Sequence, residues 1–227
     1  MTLACMLALK GVGNRPFSRW LVRAWQDCFP RLPERTRVFR LCTTHRPWTA
    51  RFLAEPTLWG VIDTYGMECI HPIREGRSPS QIGKTGDSNH RWIVGGKLCL
   101  LVNQFGLVVA WECATANVYD NAFQPLRRQF EARRIVLRDL AFQAAAGDPA
   151  NLTLCARGAW NARMRIETVL SMLTRVSHFK KVMQRGWAAF QARLAFTIAA
   201  FTVLVQGDGL PAEEEGFVPR AIAHFSL

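Results

Sequence analysis

Residues 92–113 read WIVGGKLCLLVNQFGLVVAWEC, and their pattern decides the fold. Two apolar runs, Trp92 to Val102 and Leu107 to Cys113, flank Asn103-Gln104-Phe105-Gly106. The four intervening residues have turn chemistry, which makes the pair a β-hairpin. Upstream, Leu58 to Asp63 (LWGVID) is a β-rich run ending on a carboxylate. Downstream, Ile135 to Leu137 predicts another strand, closed by Asp139, and Asn121 to Ala132 reads as a helix between them. Residues 71–91, rich in Gly, Pro, Ser and charge, read as a loop. Residues 159–176 place Ala162, Ile166, Val169, Leu170, Leu173 and Val176 at helical spacing. A second helix is expected over 179–205, stopped by Gly207 and Gly209. The order strand, hairpin, helix, strand, helix, helix predicts an α/β fold with a mixed sheet.

Ahead of this body, residues 16–53 read as short helices broken by Pro30, Pro33 and Pro47. The expected organisation is a basic helical segment over 1–55, a catalytic domain over 56–206 and a tail over 207–227. Hydrophobic residues make up 49% of the 227, enough for a sizeable core. Lys and Arg outnumber Asp and Glu 29 to 17, a formal charge of +12. Residues 1–60 and 158–193 hold the surplus, and the middle is nearly neutral. Two basic segments around a neutral body suit a polyanionic partner, because Lys and Arg displace counterions from phosphates. Seven cysteines without CxxC spacing predict reduced thiols in a cytoplasmic protein rather than a zinc cluster. Thr2 to Leu9 is too short for a signal peptide. The apolar run Leu194 to Val205 falls short of the roughly 20 residues of a membrane span and predicts a buried helix. Neither GxSxG, P-loop nor HExxH occurs, so hydrolase, nucleotidase and zincin readings lack support.

Three carboxylates stand out: Asp63 and Asp139 at strand ends, and Glu167 on a helix. Phosphodiester cleavage needs hard oxygen ligands converging from separate elements on divalent cations. At 100° per residue, Trp160, Arg163, Glu167 and Thr174 fall within about 60° of one another on one helical stripe. Other acids have blander readings: Asp87, Asp120 and Asp148 sit where turn residues are common.

These residues resemble the bacterial insertion-sequence transposases of the DDE superfamily. Trp160-x2-Arg163-x3-Glu167-x6-Thr174 is similar to that family's Y-x2-R-x3-E-x6-K pattern. Val61-Ile62-Asp63-Thr64 resembles its first-Asp strand, and Asn89-His90-Arg91-Trp92 to Gly96-Lys97-Leu98 its core hairpin. Leu137-Arg138-Asp139-Leu140-Ala141-Phe142 resembles its second-Asp turn, and Pro30 to Arg37 its N-terminal helical linker. The resemblance covers about residues 29–206. It implies an RNase H-like fold and a Mg²⁺ or Mn²⁺ site on Asp63, Asp139 and Glu167 that cleaves and joins DNA. It also implies DNA contacts at His90, Arg91, Lys97, Arg163, Lys180 and Lys181, and a homo-oligomer when on DNA. A bacterial, nucleoid-associated location with no membrane partner follows. The departures are specific. Trp160 stands for Tyr, Thr174 for Lys, and Leu-Ala-Phe follows the second Asp. Those differences, with the short region before Pro30, imply an N-terminally truncated copy. They leave open a catalytically inactive DNA-binding remnant or a general RNase H-like nuclease.

Overall fold

The computed structural model describes residues 1–77, 81–88, 91–130, 135–143, 147, 150–155, 160–176, 182, 184 and 186–207; at 88, 160–163, 175–176 and 206–207 it describes the backbone alone. The fold is mixed α/β, with helices flanking a mixed sheet. At its centre is β3 (Arg91–Asn103), antiparallel to β1 (Trp59–Ile70) on one side. On its other side it pairs first with β2 (Lys84–Ser88) and then with β4 (Val108–Thr115), both antiparallel. Beyond β1 the sheet turns parallel through β5 (Ile135–Arg138) and β6 (Leu152–Leu154).

Leu98 to Val102 are all fully buried, because β3 is covered on both faces. That explains its unbroken apolar run, the signature of a strand with no solvent side. Alternation sorts the side chains. Val61 and Met67 of β1, with Leu98, Leu100 and Val102 of β3, meet α4 (Trp160–Val176) and α5 (Trp187–Gly207) on one face. Ile62, Cys99, Leu101 and Val136 pack with Phe123, Phe130 and Phe142 on the other. That second face is covered by two stretches of 3-10 helix, Asp120–Gln129 and Leu140–Phe142.

The hairpin turn is held by one side chain. Asn103 Oδ1 accepts from the N–H groups of Phe105 (3.1 Å) and Leu107 (3.0 Å), while its Nδ2 donates to the Glu55 carbonyl at 3.1 Å. Gly106 takes the left-handed backbone (φ 72) that closes the turn.

Three N-terminal helices, α1 (Thr2–Lys10), α2 (Asn14–Ala24) and α3 (Arg35–Thr44), pack outside α5. Ala4 and Ala8 of α1 meet Phe196 of α5, and Leu7, Phe17 and Leu21 form a small core of their own. Helix α5 is therefore covered by the sheet on one side and by α1 on the other. This explains why it is apolar all round. Its Trp187–Val205 stretch is long and apolar enough to span a membrane by composition, and 72% of it is buried inside the fold.

Several expectations change. Strand β1 runs seven residues past Asp63: Tyr65, Met67 and Cys69 continue its inward alternation, and ladder pairs to β3 hold it. Within the expected loop, Lys84–Ser88 forms an edge strand. The expected helix at 121–132 is 3-10 over Asp120–Gln129, with Pro125 inside it. Helix α5 starts at Trp187 instead of 179. The Val182 N–H is bonded to the Glu68 carbonyl (3.1 Å), so that backbone extends β1's hydrogen bonding instead of a helix. The tail from 208 lies outside the described residues.

All seven cysteines are free thiols, as expected. Burial pushes the Cys69 and Cys113 thiols up to about 11. A raised thiol contributes stability that is complete below its unfolded value and lost as pH rises through its folded one. Urea unfolding is therefore expected to show stability falling between about pH 9 and pH 11, by on the order of 2–3 kcal/mol per thiol. The Cys69→Ala variant should show a shallower fall.

Candidate functional site

The parallel ladder of β1 and β5 pairs Trp59 with Ile135, Gly60 with Val136 and Val61 with Leu137. Two residues past that last pair stand Asp63, still within β1, and Asp139, one residue beyond the end of β5. The β1–β5 ladder ends before either acid, and the two are 76 positions apart in sequence.

Alternation also fixes the face. Asp63 stands between Val61 and Tyr65, both of which pack toward α4 and α5, opposite Leu100 of β3. Asp139 has the parity of Leu137, which packs toward the same side. Both acids are half-buried. Their backbones are tied down: Asp63 Oδ1 accepts from the Thr64 N–H at 2.7 Å, and Asp139 Oδ1 accepts from Ala141 N–H at 3.0 Å, capping the short 3-10 turn. Buried Arg138 donates to the Asp139 carbonyl at 2.8 Å and anchors that turn from behind. The field of Asp63 reaches through the sheet. The Cys99 thiol is pushed well above its ordinary range, first by burial and next by the Asp63 charge.

Glu167 lies on α4, which packs over β1 through Ile166, Val169, Leu170 and Leu173, and its side chain is exposed. Thr174, two turns on, is half-buried and donates to the Leu170 carbonyl at 2.5 Å. Among the described residues, no three His, Cys, Asp or Glu side chains stand together as a metal-binding group. The structure puts Asp63 within β1, Asp139 just past β5 and Glu167 on α4, without gathering all three. The donor chemistry fits Mg²⁺ or Mn²⁺: carboxylate oxygens only, from separate elements.

The expected DNA contacts are dispersed. Arg91 is exposed at the start of β3, opposite Ser88 of β2. Arg163 lies on α4 one turn before Glu167, described by backbone alone, and His90, Lys180 and Lys181 fall outside the described residues. Lys97 has the parity of Cys99, on the sheet face away from Asp63, and its Nζ is 2.7 Å from Asp120 Oδ1. That pair is largely shielded from solvent, with side-chain exposures of 12% and 17%. The Lys97→Met variant is expected to cost about 2–4 kcal/mol by stranding Asp120. The salt slope of DNA binding should not change, as filter binding across a salt series would show.

Two further basic residues of the C-terminal helices cannot serve phosphates. Arg193 is buried and donates to the Leu7 carbonyl at 2.5 Å. Arg165 donates to the Gln104 carbonyl and stacks its guanidinium 5.0 Å from the Trp59 ring, clamping α4 to the hairpin turn. The exposed positive charge gathers instead on the N-terminal helices. Arg15, Arg19 and Arg23 recur every four residues on the exposed face of α2, with Arg35, Arg37 and Arg40 exposed on α3.

Fold and site together define a class: a mixed α/β domain with an acidic pair at the end of a parallel strand ladder and a basic helical annex. Compared with known proteins, the chain matches no family model and no curated protein.

Proposed function

We propose that the chain is an RNase H-like transposase domain of the DDE type, which cuts DNA and joins the freed end to a target. What supports this reading is the parallel pairing of β1 with β5, whose last pair, Val61 and Leu137, lies two residues before Asp63 and Asp139, with Glu167 on the helix packed over β1. The order of the resembling motifs adds weight, as does the exposed arginine surface of α2 and α3. Divalent metal, when bound, supplies charge stabilisation at the attacking and leaving oxygens of an in-line displacement.

The chain's own groups do the rest. Asp63 and Asp139 present hard oxygens from a rigid sheet, where backbone hydrogen bonds fix their direction. Glu167, exposed on α4, is the third carboxylate this reading assigns to the metal. Like charges held close oppose each other, and a cation relieves that opposition. Exposed arginines of α2 and α3 hold the DNA backbone.

A strand-transfer assay tests the reading. Oligonucleotides carrying the element end with a free 3′-hydroxyl are incubated with plasmid and Mg²⁺ or Mn²⁺. Joined products are expected; cutting that ignores element ends would favour a general nuclease. The Thr174 and Leu140-Ala141-Phe142 departures favour a second reading, an inactive DNA-binding remnant. Salt-sensitive binding with no cutting or joining would establish that remnant.

A further inference from the structure

Residues 35–54 hold five arginines and no carboxylate. Helix α3 begins this stretch, and a 3-10 helix, Arg46–Phe52, follows it after His45. On α3, Val38 is buried and Phe39 and Cys42 are half-buried, whereas Arg37, Arg40 and Thr44 recur three and four residues apart on the exposed side. Among the described residues the ion pair is that of Lys97 with Asp120, so the exposed arginines of α3 keep their charge for a partner.

The 3-10 helix is fixed to the body of the protein. Arg46 donates to the Gln191 side chain of α5, buried Thr49 donates to the Arg46 carbonyl at 2.8 Å, and Leu53 packs against the main core. With those residues turned inward, Trp48 stands outward and is 52% exposed. The Arg51 guanidinium lies over its ring, 4.6 Å from the centroid. A cation held over one face of an indole leaves the other face for a flat ligand. The ring adds nothing to the core, yet a rigid base holds it in place.

We propose that this surface binds single-stranded DNA: one unpaired base stacks on Trp48 beside Arg51, and the phosphates of neighbouring nucleotides lie along Arg37 and Arg40. Every base has a π face, so such a stack accepts any base, while the arginines neutralise the backbone. Bases within a duplex are already stacked on one another, and their faces are closed to Trp48. The arginines therefore serve either form of DNA, and Trp48 serves the unpaired strand alone. This inference rests on the reading of the chain as a protein that acts on DNA, and goes beyond it in naming the form of DNA this surface selects.

The test uses the whole chain and fluorescence anisotropy with two labelled probes. One is an oligothymidylate of about a dozen nucleotides, within the site sizes of single-strand binders; the other is a hairpin duplex. Trp48→Ala is expected to lower single-strand affinity at least tenfold and duplex affinity less than twofold, with the salt slope unchanged. Its denaturant melt should match that of the parent, because the ring lies outside the core. Trp48→Phe, which keeps a ring, should recover most of the lost affinity. Arg37→Ala/Arg40→Ala should weaken both probes and lower the single-strand slope by about 1.4, at about 0.7 per phosphate contact. Single-strand affinity unchanged in Trp48→Ala, an equal loss for both probes, or binding of the duplex alone would each overturn the proposal and leave the DNA reading standing. Binding of neither probe would overturn both.

Discussion

Replacing Asp63 with Asn is expected to lower metal-dependent nicking of supercoiled DNA by about a thousandfold, equivalent to about 4 kcal/mol of transition-state stabilisation. The amide keeps the size and the hydrogen bond from the Thr64 N–H but removes the charge that a divalent cation needs. Asp139→Asn should behave alike, because the proposal gives it the same role at the metal. DNA binding by both variants should stay within about threefold of the parent, since the exposed arginines lie on α2 and α3, away from the pair. Gel quantitation of nicked circles beside filter binding separates the two effects. Retention of full nicking by Asp63→Asn would remove that residue from the site.

The largest structural effect is expected at Gly95. A Cβ built there would lie 1.9 Å from the Met67 carbonyl oxygen and 2.9 Å from the Cys69 nitrogen. Both are backbone atoms of β1, at the bulge between Glu68 and Ile70, and neither can rotate away. Gly95→Val should therefore destabilise the fold by at least about 4 kcal/mol, or prevent it from forming. Gly186→Ala is the control, because a Cβ there meets nothing within 4 Å and should shift stability by less than about 1 kcal/mol. Denaturant melts of the two variants measure the difference. Equal stability would mean that β1 and β3 do not approach as closely as this register requires.

The hairpin was legible because both its strands are apolar and its turn carries Asn103 and Gly106, each with a definite conformational task. Strand β5 and helix α4 were legible for similar reasons of pattern. The second half of β1 was missed although Tyr65, Met67 and Cys69 keep the alternation, because Gly66 and Glu68 between them dilute its apolar content. Strand β2, Lys84–Ser88, has no apolar pattern at all and exists as an edge on β3. The run Thr2 to Leu9 read only as too short for a signal peptide; packing of Ala4 and Ala8 on Phe196 makes it a helix of the core.

The site was legible in its acids and less so in its cations. Apolar runs ending on Asp63 and Asp139 marked these acids; only the structure shows that β1 continues past Asp63 and that Asp139 caps a 3-10 turn beyond β5. Lys97, Arg165 and Arg193 look like available charge in sequence. In three dimensions each has a specific structural bond: to Asp120, to the Gln104 carbonyl and to the Leu7 carbonyl. A charge count along a helix does not distinguish a buried guanidinium from an exposed one. The apolar neighbours of Arg193, from Ala192 to Ile198, were the available signal that this arginine is enclosed.

The measurement that tests the central claim most directly is nicking of supercoiled plasmid by the unmodified chain and by Glu167→Gln, side by side, in Mg²⁺, Mn²⁺ and EDTA. The account predicts nicked circles with the unmodified chain in either metal, none in EDTA, and loss of nicking in Glu167→Gln with DNA binding preserved. Nicking that survives in EDTA, or that is unchanged in Glu167→Gln, would contradict a metal site built on these carboxylates.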